Sequence, residues 1–151
     1  MDPGALSLVL VRMGGRACAI PCEHVVEIIP RVLMSHVPDA PAEVLGVINL
    51  RGRVVPVVDV RGRLAGHGEA AAFQHLVILR AGARQLGVAV DEVVDVVSVA
   101  AVDVEMPGDL TGVRSPGVVR VGDELVLVLG PEDFSPGGRP AAGGAPGGGP
   151  S

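Results

Sequence analysis

The sequence contains no tryptophan, no tyrosine and no lysine, and its only phenyl rings are Phe73 and Phe134. Without aromatic side chains there are no stacking platforms of the kind that hold single-stranded nucleic acid. Charge points the same way. The formal net charge is −5, with no basic run, whereas a phosphate backbone is gripped by a stripe of cations. Nucleic acid is therefore not an expected partner. No apolar stretch approaches the ~20 residues of a membrane-spanning helix. The first residues, Met1-Asp2-Pro3-Gly4, lack the basic start and cleavage site of an export signal. Two cysteines are too few for a disulfide framework and fit a reducing compartment. The expectation is a cytoplasmic protein with no direct insertion into a membrane. A phosphate-binding loop is also excluded: no lysine exists to reach a phosphate, and Gly14-Gly15 and Gly82 have the setting of hairpin turns.

What the chain does have is valine. Hydrophobic residues make up 48% of it, enough for the core of one compact unit or of two small subdomains sharing a core. Valine is stiff at χ1 and packs best on pleated, half-buried surfaces, so the composition leans towards β structure. Residues 5–12 have the pattern of a strand, Met13-Gly14-Gly15 that of a turn, and residues 16–20 that of the returning strand. Residues 45–50 and 54–60 form a second strand pair around Arg51-Gly52-Arg53. Pro56 cannot donate to a ladder, which predicts an edge strand or a bulge there. Between the two pairs, Cys22, Val25, Val26 and Ile29 have the i, i+3, i+4, i+7 spacing of an amphipathic helix, which Pro30 ends. Residues 64–72 form a break, expected to be a loop or a short helix followed by a loop. Residues 135–151 are almost entirely Gly, Pro, Ala and Ser, a composition that predicts a disordered tail.

The second half repeats the plan of the first. Leu8-Val9-Leu10-Val11-Arg12-Met13-Gly14-Gly15-Arg16 aligns with Leu76-Val77-Ile78-Leu79-Arg80-Ala81-Gly82-Ala83-Arg84. At the same offset Glu23-His24-Val25-Val26-Glu27-Ile28-Ile29 aligns with Asp91-Glu92-Val93-Val94-Asp95-Val96-Val97. Further on, Gly46-Val47-Ile48, Arg51-Gly52-Arg53 and Val54-Val55 resemble Gly117-Val118-Val119, Gly122-Asp123-Glu124 and Leu125-Val126. A duplication yielding two similar barrels of short strands, packed on each other, follows from this order. The second copy of the presumptive helix is β-branched throughout and is expected to be extended.

Candidates for chemistry are few. Cys18, Cys22 and His24 offer zinc-type ligands, or a thiol and a base, and make a small β-barrel enzyme or metal protein the alternative to a binding module. Their spacing is poor. Cys18 falls in a strand, and on a helix His24 would lie about 200° around from Cys22. An enzyme reading would also begin from His36, whereas the cysteines have the setting of small buried hydrophobes, and His67 and His75 that of ordinary surface residues. No two carboxylates are spaced for acid–base work. The expectation is a protein without catalysis.

The most informative stretch is Val44-Leu45-Gly46-Val47-Ile48-Asn49-Leu50-Arg51-Gly52, followed by Val54-Val55-Pro56-Val57-Val58-Asp59-Val60-Arg61. Together with Val37-Pro38-Asp39-Ala40-Pro41 upstream, it resembles the signature of the CheW-like domain family. Ala19-Ile20-Pro21 and Val25-Val26-Glu27-Ile28-Ile29 resemble that family's hairpin-to-helix junction, and Gly87-Val88-Ala89-Val90-Asp91-Glu92-Val93 and residues 117–126 its second half. The resemblance implies an all-β fold of two intertwined five-stranded SH3-like barrels with one or two short helices. It spans residues 5–134, with the tail at 135–151 outside it.

It further implies a non-catalytic adaptor that couples chemoreceptors to a CheA-type histidine kinase. The partners would be the kinase regulatory domain and the cytoplasmic tip of methyl-accepting chemoreceptors, in arrays at the inner membrane. No cofactor or metal is implied. The receptor-binding positions carried over are Glu27, Asn49, Leu50, Arg51 and Gly52, with Val26, Ile29 and Gly46 beside them. The chain departs from the family at Cys18 and near Glu43, where aromatic residues are common. It departs again in a short segment at 106–116, and at Leu129-Gly130-Pro131, where an aspartate and a helix usually follow.

Overall fold

The structure, a computed structural model, describes residues 4–64, 72–105 and 117–135. Most of the break expected at 64–72, the short segment at 106–116 and the tail beyond Ser135 lie outside the described residues. Among the described residues ten strands carry the fold. The first hairpin pairs β1 (Ala5–Met13) with β2 (Arg16–Pro21), and Gly14 and Gly15 turn it at φ 64° and 82°. Two successive left-handed residues match the twist of the strands they join, which is why glycines occupy them.

The segment after Pro21 is not the expected helix. Cys22–His24 makes a single 3₁₀ turn, and Val25–Pro30 is a strand, β3, paired antiparallel with β6 (His75–Ala81). The helical spacing has a specific origin. A bulge between Val25 and Glu27 inserts one residue, so the apolar positions lose strict alternation and imitate a 3.6-residue period. The β-branched content of Val25, Val26, Ile28 and Ile29 suits the ladder, and pairing with β6 decides the conformation. The one α-helix among the described residues is α1, Arg61–Leu64.

The remaining strands are β4 (Val44–Leu50), β5 (Arg53–Val58), β7 (Arg84–Val90), β8 (Glu92–Ala100), β9 (Gly117–Val121) and β10 (Glu124–Val128). β8 is extended over its length, as the valine content predicts. The expectation for Pro56 needs correction. β5 is an interior strand between β7 and β4, and the bulge is on β4 opposite it. Val47, the partner of Pro56, turns its own N–H and C=O to Ser35 at 2.9 Å each, and pairing with β7 begins only at Val57. No ladder bond is asked of the Pro56 nitrogen.

The strands form two five-stranded sheets, ordered β8-β1-β2-β10-β9 and β3-β6-β7-β5-β4. Each sheet takes its central hairpin from one half of the chain and its other three strands from the other half. The pairing registers repeat as well. Leu8 pairs with Val97 where Leu76 pairs with Ile29, and each of these ladders carries a bulge at the same step, past Val94 and past Val26. β10 runs parallel to β2 as β5 runs parallel to β7. The sequence repeat is thus a structural repeat with its strands exchanged.

Each sheet encloses a cluster of its own. Leu8, Ala19, Val119 and Val126 lie inside the first, and Ile48, Val55, Val57, Leu76, Ile78 and Ala89 inside the second. A third cluster belongs to both: Val9, Val11, Cys18 and Ile20 from β1 and β2 pack with Val77, Leu79, Leu86, Val88 and Val90 from β6 and β7, with Leu129 and Phe134. The central hairpins therefore meet back to back.

One buried ionic cluster joins the sheets beside this shared core. Arg61 donates to Asp59 Oδ1 (2.9 Å) and Oδ2 (2.9 Å) and to Asp91 Oδ1 (2.7 Å). Asp91 also accepts from the turn amides of Gly14 (3.2 Å) and Gly15 (2.9 Å). The ring of Phe73 lies under two guanidinium groups, with Arg31 at 4.5 Å and Arg61 at 5.7 Å. Burial by itself would raise the Asp91 carboxyl pKa, but the bonds from Arg61, Gly15 and Gly14 outweigh it and hold the value below the ordinary one.

Asp91→Asn keeps the shape and removes the charge, and is expected to cost about 2–3 kcal/mol at neutral pH in urea unfolding. Because the folded-state pKa is depressed, this stabilisation is present above the unfolded-state pKa and is lost as pH falls through the folded value. The difference between wild type and variant should therefore shrink in strong acid. A difference independent of pH would assign the loss to packing.

Candidate functional site

The β4–β5 turn is built by three consecutive devices. Asn49 Oδ1 accepts from the Gly52 amide at 2.9 Å, closing the turn from within. Arg51 and Gly52 both take left-handed conformations, at φ 53° and 84°. Gly52 does so freely, whereas a left-handed arginine is uncommon and is retained here with its guanidinium paired to the carboxylate of Glu27. Glu27 stands on β3, one outer strand of the second sheet, and the turn belongs to β4, the other. The pair therefore spans the two outer strands.

This pair is a positioning contact more than a stabilising one. The Arg51 side chain is 71% exposed and that of Glu27 25%, an exposure at which an ion pair contributes up to about 1 kcal/mol. Val26, Ile29 and Leu50 are half-buried against the interior of the same sheet and form the apolar base beneath the pair. Arg51 is thus a tethered residue, not the simply solvated turn residue its place at a hairpin tip suggests.

Of the eight positions singled out in the sequence, the structure brings Val26, Glu27, Ile29, Asn49, Leu50, Arg51 and Gly52 around the outer strands and the turn. Gly46 is apart from them. It lies at the β4 bulge, where a Cβ would sit 2.5 Å from the Ser35 carbonyl oxygen. Its place is explained by the backbone of Ser35 and the Met34 Cβ lying close above it. The sequence reading missed three exposed apolar side chains on the matching strands: Ile28 (38%) on β3, and Val94 (54%) and Val96 (56%) on β8. The repeat pairs Val26 with Val94 and Ile28 with Val96, so the alignment contained the signal. The helical reading of the first copy hid it.

The cysteines do not form a site with His24. Cys18 is fully buried in the shared core, and Cys22 is half-buried at its margin. Among the described residues no group of three or more His, Cys, Asp and Glu is placed to hold a metal ion. Burial pushes the Cys18 thiol up to about 12, the nearby Arg16 and Arg12 notwithstanding. A thiol reagent at pH 8 should accordingly label one group per native chain, Cys22, and two after denaturation. Rapid labelling of Cys18 in the native protein would contradict a closed core.

Comparison with known proteins adds four findings. The CheW-like domain family model matches residues 7–135. The chemotaxis protein CheW of Rhizobium meliloti is 34% identical over 108 residues, covering 71% of this chain and 70% of that protein. Protein FrzA of Myxococcus xanthus is 30% identical over 114 residues, covering 72% and 71%. Among solved structures, the scaffolding protein TtCheW of Thermoanaerobacter tengcongensis superposes with a TM-score of 0.72 at 22% identity, covering 84% of this chain and 85% of that one. That superposition establishes the shared fold of two β subdomains.

Proposed function

The chain belongs to the CheW-like domain family, and we propose that it joins the cytoplasmic tip of a chemoreceptor to the regulatory domain of a CheA-type histidine kinase. As a family member it is a chemotaxis adaptor and scaffold, not an enzyme. Its mechanism is linkage: each contact supplies binding free energy, and a signal passes if receptor states differ in how they seat the adaptor against the kinase. We assign this work to residues 5–134. No helix among the described residues is long and apolar enough to cross a membrane, so its place in receptor arrays at the inner membrane would come through its partners.

The observation that carries the receptor assignment is the Glu27–Arg51 pair. It holds a charged, multiply donating group at fixed height beside the apolar side chains of β3. A receptor hairpin tip is a pair of helices with apolar and carbonyl-bearing faces, and such a surface seats a helix through its apolar face. Arg51 retains donors beyond those used on Glu27 and can fix the register of the helices through charge-assisted bonds.

Arg51→Glu should weaken binding of a receptor-tip fragment by about tenfold or more, equal to about 1.4 kcal/mol. Binding of the kinase regulatory domain should change little. The substitution also sets two carboxylates against each other, so the melting temperature is expected to fall slightly. The exchanged variant Glu27→Arg/Arg51→Glu restores the pair and should recover that loss of stability. Unchanged receptor affinity in a folded Arg51→Glu protein would remove Arg51 from the receptor surface.

A further inference from the structure

The repeated plan allows the two sheets to be compared residue by residue, and at one position the sign of the charge is inverted. In the first sheet Arg12 donates to both oxygens of Glu124, Nη1 to Oε2 at 2.8 Å and Nη2 to Oε1 at 3.1 Å. This bidentate pair ties the β1–β2 hairpin to the β9–β10 hairpin. In the second sheet the counterpart of Arg12 is Arg80, and the counterpart of Glu124 is Arg53. Arg84 stands where the first sheet has Arg16. The carboxylate that closes one pair of hairpin ends is replaced by a further cation at the other.

The consequence is a basic hairpin end on a chain of net charge −5. Arg53 and Arg84 line a surface cleft of ≈ 340 Å³, together with Val54, Pro56 and Gln85. No acidic residue lines it, and Arg53, Arg80 and Arg84 make no ion pair among the described residues. Val54, which lines the same cleft, is 72% exposed. Unbalanced like charges repel, and an incoming carboxylate relieves that repulsion while using the donor fork of arginine. The apolar surface of Val54 and Pro56 adds a preference that a free inorganic anion cannot satisfy.

We propose that the joined ends of the β4–β5 and β6–β7 hairpins are a docking site for an acidic segment of a partner protein. Its carboxylates would meet Arg53 and Arg84, and an apolar side chain would cover Val54. The site is distinct from the Glu27–Arg51 contact, because neither Glu27 nor Arg51 lines the cleft. Its test uses neither receptor nor kinase, so its failure would leave the adaptor reading untouched.

The probe is the blocked peptide Asp-Glu-Leu-Glu-Asp, titrated into the full chain at low salt and followed by backbone amide NMR. Saturable shifts are expected at Val54, Val55 and Gln85. The variant R53E/R84E should bind this peptide about tenfold more weakly or worse. It should acquire binding to Lys-Lys-Leu-Lys-Lys at this cleft, where none is expected for the wild type. R53Q/R84Q, with no added charge, serves as a second variant and should lose the acidic peptide alone. Absence of saturable binding, equal binding by the charge-reversed variant, or displacement of the peptide by an equal concentration of inorganic phosphate would each overturn the proposal.

Discussion

Asp91 lies where the chain leaves β7 for β8, and so where it passes from the second sheet to the first. Its carboxylate takes two amides from the β1–β2 turn and one guanidinium N–H from Arg61, and Arg61 is held in turn by Asp59 at the end of β5. Two segments distant from it, the β1–β2 turn and residues 59–61, are therefore fixed to one carboxylate. The attraction is strong enough to depress the Asp91 pKa despite its burial, because every charge in the cluster is met by charge-assisted hydrogen bonds. Beside it lies the apolar cluster formed by both central hairpins. The hydrophobic contact supplies non-directional attraction, and the ionic cluster supplies the directional constraint that sets how the hairpins meet.

Strand exchange makes that junction indispensable. Each sheet depends on strands from the other half of the chain, so neither half can complete its hydrogen bonding without the other. Two backbones of the same plan have then taken different side chains at their surfaces. Arg12 and Glu124 close one pair of hairpin ends, whereas Arg53 and Arg84 leave the corresponding ends basic and open. At the β3 bulge, Glu27 is drawn to Arg51. Its counterpart on β8, Asp95, accepts from its neighbour Val96 at 2.7 Å. The shared features hold the sheets, and the two repeats differ in the charged side chains at their surfaces.

Much of this was legible in the residues. Glycines at hairpin turns, alternating valines and the repeated blocks identified nine of the ten strands among the described residues, and the Asn49-Leu50-Arg51-Gly52 turn marked the hairpin proposed to meet the receptor. The failure at residues 22–29 has a physical cause. A bulged strand and an amphipathic helix place apolar residues at overlapping spacings, and propensity alone does not separate them. Pro56 was misjudged similarly: its missing donor suggested an edge, but an interior strand tolerates proline where the facing residue bonds elsewhere.

Composition and local pattern by themselves determined the class of the protein: β-rich, duplicated, and punctuated by turns whose glycines follow from backbone sterics. Those properties depend on each residue and its near neighbours. Only the tertiary structure decided that Glu27 meets Arg51, that Arg61 bridges Asp59 and Asp91, that Arg53 and Arg84 share a cleft, and that residues 25–30 extend along β6. These are contacts between segments far apart in the chain. Their partners are set by which strand of one half completes the sheet of the other, and no local spacing records that choice.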